Sequence, residues 1–151
     1  MSDTSLRVML RDFGEGLGLP DFGLDEYGFS SLVIDEILLN LEMDESHESI
    51  MIYANVGEIP VEGSLEFYEL LLEADFFSKG TAGATLGIDK RANIVILAYL
   101  LPTNGLSLHR FHRTIENFTN MAEWWSEKIA AFGSPEPTPV RGPQMTPDMM
   151  A

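Results

Sequence analysis

The sequence predicts an α+β domain of order α-β-β-β-α-β-β-α, a twisted antiparallel sheet flanked by helices. Two observations lead there. Apolar residues recur every three or four positions near the start, in the middle and before the C-terminal tail, which is helical spacing. Between those segments the period falls to about two, in five short runs rich in β-branched and aromatic residues and separated by turn residues.

The first helix places Leu6, Met9, Leu10, Phe13 and Leu17 on one face. Gly14, Gly16, Gly18 and Pro20 then remove helical propensity, and a loop runs to about Tyr27. A meander follows. FSSLVID reverses at Asp35-Glu36 into ILLNLEM, where Ile37, Leu39, Leu41 and Met43 alternate with Leu38, Asn40 and Glu42. The polar string Asp44 to Glu48 turns the chain into a third strand with Ile50, Ile52, Ala54 and Val56 on one face, which Gly57 and Pro60 end.

Ser64 is the expected N-cap of the second helix, LEFYELLLEADFF, and Lys79-Gly80 its end. Ala84 to Asp89 and Asn93 to Leu101 read as a hairpin. Ser107 is the expected cap of a long third helix whose stripe is Leu108, Phe111, Ile115, Phe118, Ala122, Trp125, Ile129 and Phe132. Trp124 falls off that stripe. One domain over 1–132 is therefore expected, with residues 133–151, which hold five of the eight prolines, as a disordered tail.

Composition narrows the chemistry. With 9 Lys plus Arg against 24 Asp plus Glu, the net charge of -15 repels phosphate backbones and anionic headgroups, so nucleic acid and membrane are not expected partners. Without cysteine there are no disulfides and no thiolate chemistry. No stretch approaches the roughly 18 apolar residues of a membrane span, so no membrane insertion is expected. His109 and His112 stand at i and i+3, but no third ligand has matching spacing, and Arg110 and Arg113 oppose a cation. No metal and no cofactor are expected. Gly14-Glu15-Gly16-Leu17-Gly18 follows a helix, so helix termination explains it better than a phosphate loop. Asp35-Glu36 and Glu66-Glu69 read as solvated charge, and no catalytic residue is expected.

The second helix is the unusual element. Glu66, Glu69 and Glu73 occupy one strip, while Leu65, Tyr68 and Leu72 form one apolar face and Phe67, Leu70, Leu71 and Ala74 another. That arc exceeds the roughly 100° which docks a surface helix on one sheet. Either the third helix covers the second face, or another chain does; a symmetric dimer is the commonest form of the latter.

The segments FSSLVIDEILLNLEMDE, SIMIYANVGEIP, YELLLEADFF, GTAGATLGIDKRANIVILAYLLP and AEWWSEKI arrive in an order that resembles the class I type III secretion chaperones of the Tir chaperone (CesT-like) family, over roughly residues 5 to 131. The resemblance implies a non-enzymatic acidic homodimer in the bacterial cytoplasm. Such a protein binds the N-terminal segment of a secreted effector and keeps it soluble and export-competent. In that family the segment wraps the dimer in extended form and can add a strand to an open sheet edge. An extended peptide needs an edge for its backbone and apolar pockets for alternate side chains. Phe13, Leu17, Phe22, Phe29, Leu38 and Leu39 are the effector-binding candidates, with core packing as the competing reading of each. Phe67, Leu70, Leu71 and Ala74 are the candidate dimer interface. The alternatives are a regulatory adaptor of the same fold, or a small ligand-binding domain or enzyme built on the carboxylates and His109.

Overall fold

The computed structural model describes residues 3–132, and the Pro-rich tail lies outside them. The elements are α1 (Asp3–Gly16), β1 (Phe29–Ile34), β2 (Ile37–Met43), β3 (Ser49–Glu58), α2 (Ser64–Asp75), a 3-10 turn (Phe76–Ser78), β4 (Thr85–Asp89), β5 (Ile94–Pro102) and α3 (Leu108–Phe132). The five strands form one antiparallel sheet in the order β1-β2-β3-β5-β4.

Local chemistry sets the joints. Asp35 and Glu36 both have positive φ, the two-residue reversal whose twist suits a hairpin, and Ile34 pairs with Ile37 across it. In the next turn the Asp44 carboxylate accepts from the Glu48 and Ser49 N–H groups and from the Ser46 and Ser49 hydroxyls. Those bonds, the Ser49 hydroxyl first, hold its pKa below the usual carboxylate range. Ser107 caps α3 as expected, its Oγ accepting from the Arg110 N–H at 3.1 Å. Ser64 does not cap α2. It is already helical, and Gly63, at φ 73°, stands in the cap position without a side-chain bond. Gly57 does not end β3 either. It sits at a bulge between Asn55 and Gly57, and the strand runs on to Glu58. A Cβ on Gly57 would lie 2.5 Å from the Ile129 Cγ2, so its bare backbone is what lets α3 approach the sheet.

One sheet face is the core. Leu39, Leu41, Ile50, Ile52, Leu97 and Leu101 are fully buried there, and the burial alternation along β2 and β3 matches the period-two reading. Over them α3 lays Phe111, Ile115 and Trp125, and α1 adds Leu10 and Phe13, whose ring meets that of Phe111 edge-on at 4.8 Å. Trp124 stays half-buried beside the buried Trp125, and Lys128 lies over its ring at 4.7 Å. Burial lowers the pKa of that lysine, with Glu73 opposing the shift. The Trp125 indole donates to the Gly80 carbonyl at 3.1 Å, tying the end of the α2 region to α3. Asp75, the last residue of α2, accepts from the Leu86 N–H at 2.7 Å and so closes part of the outer edge of β4. The other sheet face leaves Val33, Leu38 and Leu100 exposed.

Candidate partner-binding surfaces

Helix α2 does keep an uncovered apolar face, but its orientation differs from the sequence expectation. Phe67 and Leu71 point into the chain's own core, with Phe67 at 0% exposure and its ring 5.1 Å from that of Phe132. Leu70 and Ala74 are half-buried against the same core, and Gly80 fits against Ala74 so closely that a Cβ would meet the Ala74 Cβ at 2.8 Å. Two of the four residues expected to meet a partner thus have almost no surface to offer one. The outward stripe is Leu65 at 67%, Leu72 at 70% and Phe76 at 61%, with Phe77 at 80% beside it. Phe77 adopts φ 53°, a costly conformation for an aromatic residue, and its ring packs on Phe76 at 4.5 Å. Helical spacing gives both faces of α2, and nothing in the sequence says which one β4 and α3 will cover. The break after Asp75 was equally hidden, because FF continues the apolar pattern.

The two sheet edges are unequal. Because Ile34 and Ile37 close the hairpin as a hydrogen-bonded pair, Leu32 and Ser30 also bond inward to β2, while Ser31 and Val33 turn their N–H and C=O outward. The Met43 N–H bond to Gly28 fits this parity. Phe29 also points outward, but the Asp25 carboxylate and backbone N–H occupy its polar groups. Among the described residues, no loop or side-chain hydrogen bond reaches Ser31 or Val33. β4 has five residues, and its outward Leu86 N–H is taken. β1 is therefore the freer edge. Its Val33 stands opposite Leu38, and both side chains are exposed on the open face.

The effector-binding candidates divide accordingly. Phe13 and Leu39 are buried core residues, Leu39 completely, so neither offers a pocket floor beyond what Phe13 contributes at its rim. Phe29 and Leu38 are exposed on the sheet side. Leu17 is exposed at the end of α1 and, with Phe13, Ile34, His112 and Ile115, lines a hollow of about 130 Å³. Phe22 is half-buried over α1, where Gly14 admits it: a Cβ there would lie 2.3 Å from the Phe22 Cβ. The six residues form no single site. Val33, Leu65, Leu72 and Phe76, missed as site candidates, are all well exposed. His112 packs edge-on against Phe13 at 5.8 Å, and among the described residues no group of three His, Cys, Asp or Glu is arranged to hold a metal ion. No described helix is long and apolar enough to cross a membrane.

Comparison with known proteins agrees with this architecture. The transcriptional anti-antiactivator ExsC of Pseudomonas aeruginosa is 29% identical over 122 residues, 80% of this chain and 83% of that protein. The solved structure of the ExsC–ExsE complex matches with a TM-score of 0.73 at 26% identity, covering 85% of this chain and 97% of that one. The HopA1–SchA chaperone–effector complex matches with a TM-score of 0.67 at 21% identity, covering 84% and 99%, a likeness of fold. The model of the Tir chaperone protein (CesT) family matches residues 9–126, so this chain belongs to that family.

Proposed function

We propose that two copies of this chain, joined through the outward stripe of α2, hold the N-terminal segment of a secreted effector in extended form in the bacterial cytoplasm. The binding needs no catalysis and no cofactor. The observation that carries this reading is that a fold with a complete core still leaves an apolar helix stripe and an open strand edge uncovered. At about 25 cal/mol per Å², leaving Leu65, Leu72 and Phe76 in water forgoes several kcal/mol, a cost that pairing with a second copy removes. The β1 edge supplies backbone groups at Ser31 and Val33, and Leu38, Phe29 and Leu17 supply apolar contacts for alternate side chains. Phe22 adds a further contact over α1.

Co-expression with the protein encoded next to this chain, as the candidate effector, tests the reading. The effector's N-terminal segment stays soluble and co-purifies only in the presence of this chain. An effector segment equally soluble and monodisperse alone sinks the proposal.

The likeness to an anti-antiactivator supports a second reading, a regulatory adaptor of the same fold that binds a component of transcription or secretion control. Affinity capture separates the two: recovery of a regulator in place of a secreted cargo favours the adaptor.

A further inference from the structure

We propose that the groove between α1 and the 19–28 segment selects an acidic, apolar stretch of the bound effector, with Arg7 and Arg11 receiving its carboxylates. The inference rests on the chaperone reading and adds a specificity to it. The groove, about 840 Å³, has Arg7, Val8 and Arg11 on one wall and Phe22, Leu24 and Glu26 on the other. A second hollow of about 230 Å³ continues it past Arg7 and Leu24 toward Met43. Its far wall is held in place by chemistry already described. Gly14 admits Phe22 against α1, and Asp25 fixes the end of the segment by accepting from the Tyr27 and Phe29 N–H groups at 2.9 Å each.

The charge pattern points to the ligand. Arg7 and Arg11 stand one helical turn apart, so their guanidinium groups share a side of α1. In a chain with 24 acidic residues, neither has a carboxylate within ion-pair distance among the described residues. Asp21, Asp25 and Glu26 face them from the loop wall, and Asp3 and His47 stand at the mouth of the second hollow. One wall is thus cationic and the other apolar with an anionic rim. An extended peptide points successive side chains in opposite directions. It satisfies both walls by turning carboxylates to α1, where planar guanidinium groups take them in paired hydrogen bonds, and apolar side chains to Phe22 and Leu24.

Three peptides of about ten residues, long enough to span α1 in extended form, test this: alternating Leu-Glu, Leu-Gln and Leu-Lys. Titration of the full chain is followed by its backbone amide resonances. The Leu-Glu peptide binds about tenfold more tightly than Leu-Gln, moves the resonances of Arg7, Arg11 and the 22–26 segment, and loses its advantage in R7Q/R11Q. Equal binding of the Glu and Gln peptides, preference for Leu-Lys, a preference untouched by R7Q/R11Q, or no binding overturns the proposal. The effector itself separates this from the broader reading. If the wild-type chain captures its effector and R7Q/R11Q captures it equally well, the groove proposal fails while the chaperone reading stands; if the wild-type chain captures none, the chaperone reading fails.

Discussion

Asp75 carries its carboxylate to the outer edge of β4, where burial raises its pKa and the bond from the Leu86 N–H opposes the shift. A pKa raised by folding means that the fold favours the protonated acid. The associated stability is complete below the unfolded pKa and is lost as pH rises through the folded one, so at neutral pH the ionised Asp75 costs stability. Asp75→Asn keeps the acceptor for Leu86 and removes the charge. Thermal melts should therefore show it at least as stable as wild type at pH 7, with a weaker dependence on pH above about 4. Asp75→Ala leaves the Leu86 N–H unpaired and should lose about 1–2 kcal/mol in urea titration. A less stable Asp75→Asn at neutral pH contradicts the account of this residue. Gly57 acts by absence: a methyl group there strikes Ile129, and Gly57→Ala should cost about 1–3 kcal/mol, again read by urea unfolding.

Helix α2 shows what an element's sequence can and cannot disclose. The Glu66, Glu69 and Glu73 strip is exposed as the spacing implies, and the excess apolar arc is real. Which face turns inward depends on β4 and on Phe132 at the far end of α3, tertiary contacts that the pattern of α2 alone does not encode. The two serines make the same point. Ser107 caps α3, whereas the chain enters α2 through a left-handed Gly63 that leaves Ser64 one position too late to cap. The two faces of α2 predict opposite phenotypes. Leu65→Glu with Leu72→Glu, both on exposed positions, should leave the circular dichroism spectrum intact and shift the mass by light scattering from two chains to one. Phe67→Ala, in the core, should instead cost about 3–5 kcal/mol of stability. A double variant that remains dimeric removes α2 from the interface. At β1, Val33→Pro deletes an outward N–H and should weaken effector binding about tenfold by titration calorimetry while the fold survives.

At the scale of the whole molecule, the order of elements, the antiparallel pairing and the alternation of the central strands all follow from local pattern, and each is present. The positions of free surface do not follow from it, because burial is a property of the assembled layers. Phe13 and Leu39 read as well for a pocket as Leu38 does, yet both are buried in the core, with Phe13 reaching only the rim of a small hollow, while Leu38 faces outward. The acidity has a different consequence. Arg7 and Arg11 remain unpaired among the described residues despite it, which leaves a local cationic wall on a strongly anionic chain. The central claim is that the surface left open by a completed core is where the effector segment lies. Amide hydrogen exchange, compared between the free chain and its complex with the effector's N-terminal segment, tests it most directly. Ser31 and Val33 on β1 should become protected on binding while Leu86, already bonded to Asp75, changes little; a complex in which β1 exchanges as fast as in the free chain contradicts the account.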